Sequence, residues 1–155
     1  MGCGAGVPST PNSAMEVVVT RLDDKFKYRS TSVETGMSVV TDGGVAIGAA
    51  GEGMRPMELV LAAVANCSAI DILLLLEKQR QDVVDLKITV TGQRAETVPK
   101  VFTRIRVHYD FVGELNAKKV ERACRLSMEK LCSVSMMLKA GGVAIECDYS
   151  IEATA

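Results

Sequence analysis

Two cysteines carry the chemistry this sequence can do. Cys67 interrupts an apolar run from Pro56 to Leu76 whose interior has no need of a thiol. A thiol in so greasy a helix is a candidate for reaction with peroxide. By itself it is weak evidence, because free cysteine usually behaves as a small buried hydrophobe. The second half of the signal is Cys132, in Glu-Lys-Leu-Cys-Ser-Val-Ser from Glu129 to Ser135.

A thiol reacts as its thiolate, so the residues around Cys67 must favour that form. It lies too far along its helix for the N-terminal dipole, which acts mainly in the first turn. A nearby cation is therefore required. Asp71, one turn beyond Cys67 on nearly the same helix face, opposes thiolate formation unless it is paired elsewhere.

The elements that must position these residues can be read from periodicity. Pro56 and Glu58 are good helix-start chemistry, and the helix is expected to run to about Gln81. Being apolar on nearly every side, it must be central. Before it, Val17–Thr20, Phe26–Thr31 and Met37–Val40 read as short antiparallel strands parted by turn-prone residues. The glycine-rich stretch from Asp42 to Gly53 lacks the Gly-Lys-Ser/Thr ending of a phosphate-binding loop and reads as a flexible connection. After it, Leu86, Ile88 and Val90 alternate with polar residues, as do Val101 to Phe111, which predicts a long hairpin with one wet face. A second, amphipathic helix begins near Asn116 with Val120, Ala123, Cys124, Ser127, Met128 and Leu131 on its packing face. Gly141-Gly142 ends a short helical segment after Cys132, and Val143 to Ile151 alternate as a last strand. The order predicts an α+β fold.

The chain has 155 residues, which suits one domain over 15–155. Residues 1–14 are small, polar and broken by two prolines, and read as a disordered leader or expression remnant with Met15 as the natural start. Gly2-Cys3 invites a lipidation reading, which Gly6 argues against. With 18 basic and 19 acidic residues and no basic block, nucleic acid and acidic membrane are unsuited as partners. The run from Leu59 to Leu76 approaches membrane-spanning length, but Asn66, Ser68 and Asp71 mark it as a buried helix. No tryptophan and eight methionines point to an adaptable aliphatic interior that suits a small apolar ligand. Five cysteines, without regular spacing or a secretory signal, suggest a reducing, cytoplasmic setting. Nor do they show the paired short spacing of a metal site, so no metal is expected. Cys124 and Cys147 fall on packing faces and read as structural, and His108 shares the wet strand face with Arg104 and Arg106.

The segment Pro56–Asp71 resembles the helix motif of the OsmC/Ohr family, and Glu129–Ser135 resembles its second cysteine motif. The likeness covers roughly Glu16 to the C-terminus and is nearest to the OsmC-like branch carrying Cys-Ser-Ala-Ile-Asp and Cys-Ser-Val. It implies an OsmC-like α+β fold, with antiparallel sheets around a long central buried helix in an intertwined homodimer. It also implies thiol-dependent reduction of organic hydroperoxides, with Cys67 peroxidatic and Cys132 resolving, no metal or flavin cofactor, and a lipoyl-type dithiol as reductant. In peroxidase members an arginine from the N-terminal strands and a glutamate at the helix start activate the thiol. Carried over by position, these are Arg29, with Arg21 second, and Glu58. The acid departs from the pattern: Met57 follows the proline, and nine residues at about 100° each put Glu58 opposite Cys67 on an ideal helix. That departure keeps open an alternative, non-enzymatic binding of a small apolar ligand or redox sensing at the dimer interface.

Overall fold

A computed structural model describes residues 14–154. All of the leader expected over 1–14 except Ala14, and the Gly2-Cys3 site with it, lies outside the described residues. The chain divides into two compact units, one ending at Pro56 and the other spanning Met57–Ala155.

In the first unit, β1 (Val17–Arg21), β2 (Tyr28–Ser32) and β3 (Ser38–Thr41) form an antiparallel meander in that order. The Asp23 carboxylate accepts from the amides of Lys25 and Lys27, at 2.9 and 3.1 Å, and so closes the β1–β2 turn. The glycine-rich stretch read as a flexible connection is tied down instead. Thr41 bridges to Met54, and the buried Asp42 carboxylate accepts from the amides of Gly43 and Glu52 at 2.7 and 3.0 Å. These donors, Glu52 foremost, outweigh burial and hold Asp42 below the usual carboxylate range.

The second unit begins with α1 (Pro56–Lys78), with Glu58 in its first turn and Lys78 in its last. It ends three residues short of the expected Gln81. Arg80 takes the left-handed conformation (φ 55°), and the Gln81 amide turns back to the Leu76 carbonyl at 3.0 Å. The strands β4 (Asp85–Arg94), β5 (Phe102–Val112) and β6 (Ala144–Glu152) form the second sheet in that order. The β4–β5 hairpin is antiparallel as expected, but β6 runs parallel to β5, so this sheet is mixed. The reason is the connection: α2 (Ala117–Leu126) and α3 (Ser133–Ala140) carry the chain back, so that β6 starts beside Arg104 and follows β5.

From Ile105 onward burial follows the expected alternation, but an irregularity in register opposite Gln93 and Arg94 puts Phe102 in the core and leaves Val101 and Thr103 exposed. Phe102, Ile105, Val107, Tyr109 and Phe111 of β5 face Val64, Ile72 and Leu76 of α1 and Val120, Ala123 and Cys124 of α2 in one apolar cluster. At Gly92 on β4 the sheet has no room for a side chain, because a Cβ there would lie 2.4 Å from the Phe102 ring. By length and composition α1 could cross a membrane, yet it seats Val64, Ile72 and Leu76 in this core. Ile70, Leu73 and Leu74, on its other side, stay exposed. The wet face of β5 and β6 carries charge. His108 bonds Asp148 through Nδ1 and Asp110 through Nε2, the latter at 2.9 Å, while Arg106 pairs with Asp148.

Candidate active site

Cys67 lies midway along α1, half-buried, with Asp71 one turn further on. Cys132 arrives from a different direction. After α2 the chain widens into a single π-type turn over Ser127–Leu131, closed by the Cys132 amide on the Ser127 carbonyl at 2.9 Å. Cys132 then becomes the N-cap of α3, fully buried, and its Sγ accepts from the Ser135 amide at 3.4 Å.

The π turn leaves helical carbonyls to be satisfied otherwise, and local side chains do it. Ser135 Oγ donates to the Met128 carbonyl at 3.1 Å, and Lys139 Nζ donates to the same oxygen at 2.8 Å. Ser127 Oγ reaches across to the Ser68 carbonyl at 3.1 Å and to Asp71 Oδ2 at 3.4 Å. Ser68 Oγ meets the Tyr109 hydroxyl at 2.6 Å, which ties α1 to β5 directly beneath the cysteines. Among the described residues no buried side-chain nitrogen or oxygen lacks a partner.

These contacts bring Cys67, Asp71 and Cys132 together: both sulfurs and a carboxylate oxygen lie within 4.8 Å of one another. The argument from sequence that the cysteines make no metal site considered only short spacings. Here the fold, rather than spacing, assembles three metal-ligand-type atoms. Asp71 is also not left alone with the thiols, since Ser127 donates to it.

Burial pushes the Cys132 thiol above its ordinary range. The Ser135 amide works against this, and the adjoining Cys67 adds to it. Cys124, the buried thiol on α2, is pushed up to about 12 by burial, with Cys147 adding to the shift. Cys147 is raised too, mainly by burial, with Lys139 opposing.

The other sequence candidates lie elsewhere. Glu58 is in the first turn of an unbroken helix, about 13 Å along the axis from Cys67 at roughly 1.5 Å per residue. Arg29 is mid-strand in the first unit, between Thr20 of β1 and Val40 of β3. His108 is held by two carboxylates on the wet sheet face and forms part of an ion-pair row. The sequence reading missed the Ser68–Tyr109 link and the task of Ser127. One signal for the latter was available, since a serine on an otherwise apolar helix stripe needs a buried partner.

On the surface, Leu59, Val60 and Ala63 of α1 and Val134, Met137 and Leu138 of α3 line an apolar cleft of about 340 Å³. Ala63 lies one helical turn before Cys67, and Val134 follows Cys132 by two residues.

Comparisons with known proteins agree with this arrangement. Protein YhfA of Escherichia coli (strain K12) is 45% identical over 101 residues, which is 64% of this chain and 73% of YhfA. A crystal structure of a protein from Aquifex aeolicus VF5 superposes with a TM-score of 0.79 at 29% identity, covering 92% of this chain and 98% of the other. An organic hydroperoxide resistance protein OsmC from Legionella pneumophila shares the fold with a TM-score of 0.69 at 18% identity, covering 91% and 99%. The OsmC-like protein family model matches residues 49–148, a span holding α1, the π turn and both cysteines, and the chain belongs to that family.

Proposed function

We propose that the protein reduces organic hydroperoxides with Cys67 as the peroxidatic thiol and Cys132 as the resolving thiol. The observation that carries the reading is the approach of the two sulfurs to within 4.8 Å from separate elements. The Cys67 thiolate attacks one peroxide oxygen, the O–O bond breaks, and the alkoxide leaves as the alcohol after taking a proton. Cys67 is then a sulfenic acid. The Cys132 sulfur attacks it, forming the S–S bond and releasing hydroxide, which takes up the Cys132 proton as water. The net change is two thiols and one hydroperoxide to disulfide, alcohol and water. A dithiol of the lipoyl type restores the thiols, and the cycle calls for no metal or flavin.

The cleft along Leu59, Ala63 and Met137 supports an apolar substrate, as do fold neighbours named organic hydroperoxide resistance proteins. Arg29 is assigned as the cation that favours the Cys67 thiolate, with Arg21 second. Glu58 is the acid that the resemblance carries over beside it, one residue displaced from the family position. A homodimer completes the arrangement, and the exposure of Ile70 (61%) and Met137 (75%) supports a second copy covering α1 and α3. The same wholly apolar cleft favours a second reading, a dimer that binds an apolar molecule and whose thiols only report oxidation.

One experiment separates the two. One equivalent of an organic hydroperoxide is added to the reduced protein, peroxide loss is followed, and the oxidised cysteines are mapped by non-reducing peptide mass spectrometry. Stoichiometric loss with a Cys67–Cys132 disulfide is expected. Cys67→Ser should abolish consumption, and Cys132→Ser should let Cys67 proceed to sulfinic acid. Untouched thiols with the peroxide remaining would leave the binding reading.

A further inference from the structure

The peroxide chemistry accounts for two of the three groups that converge beside α1, and Asp71 is the third. A negative charge next to thiols opposes their ionisation, so a peroxidatic pair has no use for it. A cation does. We propose that Cys67, Asp71 and Cys132 of the reduced protein form a binding site for a divalent cation of the zinc class, whose occupancy withholds both thiols from hydroperoxide.

The donor set selects the ion. Two sulfurs and one carboxylate oxygen are unsuited to magnesium or calcium, which take oxygen ligands, and suit zinc, which accepts both. The geometry is within reach. Zn–S of about 2.3 Å and Zn–O of about 2.0 Å in a tetrahedron put ligand atoms roughly 3.5–3.8 Å apart. The three atoms already lie within 4.8 Å, so closure needs about 1 Å of side-chain adjustment. Two contacts orient the donors from outside: Ser127 Oγ on Asp71, and the Ser135 amide on the Cys132 sulfur. The half-buried Cys67 leaves a way in, and three protein ligands leave the fourth position to water.

Binding exchanges one proton from each thiol for the cation, with no change of oxidation state. A Cys67–Cys132 disulfide removes both thiolates, so metal and peroxide compete for the same sulfurs. This second half of the proposal rests on the peroxidase reading, whereas the metal site stands without it.

The test uses the full reduced chain without oxygen. Cobalt(II) is titrated as a zinc surrogate and read by its thiolate-to-metal charge-transfer absorption, and zinc affinity is then measured by competition with a chromophoric chelator. One equivalent should bind, with the absorption lost in Cys67→Ser and Cys132→Ser and kept in Cys147→Ser. Asp71→Asn, which removes a direct anionic ligand, should weaken zinc by at least the roughly 10- to 100-fold that loss of an outer-shell partner costs. Being near-isosteric, it separates a ligand's loss from a folding defect. Zinc-loaded protein should leave hydroperoxide unconsumed until a chelator is added. No thiolate absorption, an absorption that survives Cys67→Ser, or unchanged zinc affinity in Asp71→Asn would overturn the site. If the metal-free protein ignores hydroperoxide while the cobalt signature is present, the site stands and the withholding half falls with the peroxidase reading. Peroxide consumption without the signature is the reverse case and overturns the site alone.

Discussion

The Ser68–Tyr109 link fixes α1 on β5 beneath Cys67, and its two halves are not equivalent. Ser68 Oγ lies 2.7 and 3.0 Å from the carbonyls of Val64 and Ala65, so its proton goes to the helix backbone and the Tyr109 hydroxyl is the donor of the pair, at 2.6 Å. Both residues are fully buried. Tyr109→Phe removes the donor and leaves Ser68 bonded to its own helix, a loss of about 1 kcal/mol for one net hydrogen bond. Ser68→Ala strands a buried O–H donor, which costs about 1–3 kcal/mol, offset by a few tenths because alanine is the better helix former. The double variant has no stranded group and should be close to Tyr109→Phe alone. The three together should therefore show coupling about equal to the cost of Ser68→Ala, roughly 1–2.5 kcal/mol, with the double variant less destabilised than the sum of the singles. Thermal melts can read this, at roughly 2–4 °C per kcal/mol for a chain of this size. Strict additivity, or Tyr109→Phe costing more than Ser68→Ala, would refute the assignment of donor and acceptor.

Three further perturbations follow from the same coordinates. A Cβ at Gly92 would fall 2.4 Å from the Phe102 ring and 3.0 Å from Leu61, so Gly92→Val should cost about 1–3 kcal/mol in melts. Phe102→Leu in the same chain should recover part of that loss; a full loss retained would place the conflict elsewhere. His108 is raised above its ordinary pKa by its bond to Asp148 first and to Asp110 second, so its contribution is complete below about pH 6.5 and lost as pH rises through the folded value. The melting temperature should fall across that window in the wild type and stay flatter in His108→Asn; equal slopes would remove His108 as the cause. Native alkylation at neutral pH should reach the partly exposed Cys67 and Cys147 well before Cys132 or Cys124, since both of these are buried and Cys124 is pushed up to about 12. Early labelling of Cys124 in peptide maps would contradict its place in the core.

Element identity was legible because period is a local property. The alternation in Ile105–Phe111 and the apolar stripe of α2 each declare a buried face without reference to the rest of the chain, whereas the register irregularity that buries Phe102 in place of Val101 leaves no periodic sign. The direction of β6 was not legible, because a parallel and an antiparallel strand alternate alike; only the helical return from Val112 to Ala144 decides it. The early end of α1 left little trace, since Arg80 supplies the left-handed residue where glycine is usual. The two cysteines were legible singly and as a family motif, yet nothing in their spacing brings Cys132 to Cys67. Nor does spacing place the Asp71 carboxylate of α1 beside the two sulfurs; the fold does that.

What brings the thiols together is the departure from regular helix between α2 and α3. A single unbroken helix after Asn116 would have carried Cys132 along the axis of α2, with its sulfur on whichever face the 3.6-residue period dictated. The π turn adds a residue to that turn, Ser127 ties it to α1 at Ser68 and Asp71, and the chain turns at Cys132 to begin α3. Cys132 thus occupies a cap position, where the sulfur faces the open amides of a helix start instead of lying flat on a helix surface. The geometry answers two demands at once. Burial favours the protonated thiol, while the Ser135 amide favours the negative charge that its sulfur would carry in either proposed role. Ser127 ties the break to α1, while Ser135 and Lys139 both donate to the Met128 carbonyl within it. The carbonyls of Ser127, Met128 and Cys132 at the break are each held, by the Cys132 amide, by Ser135 and Lys139, and by Ser135, and these bonds help to fix the second thiol.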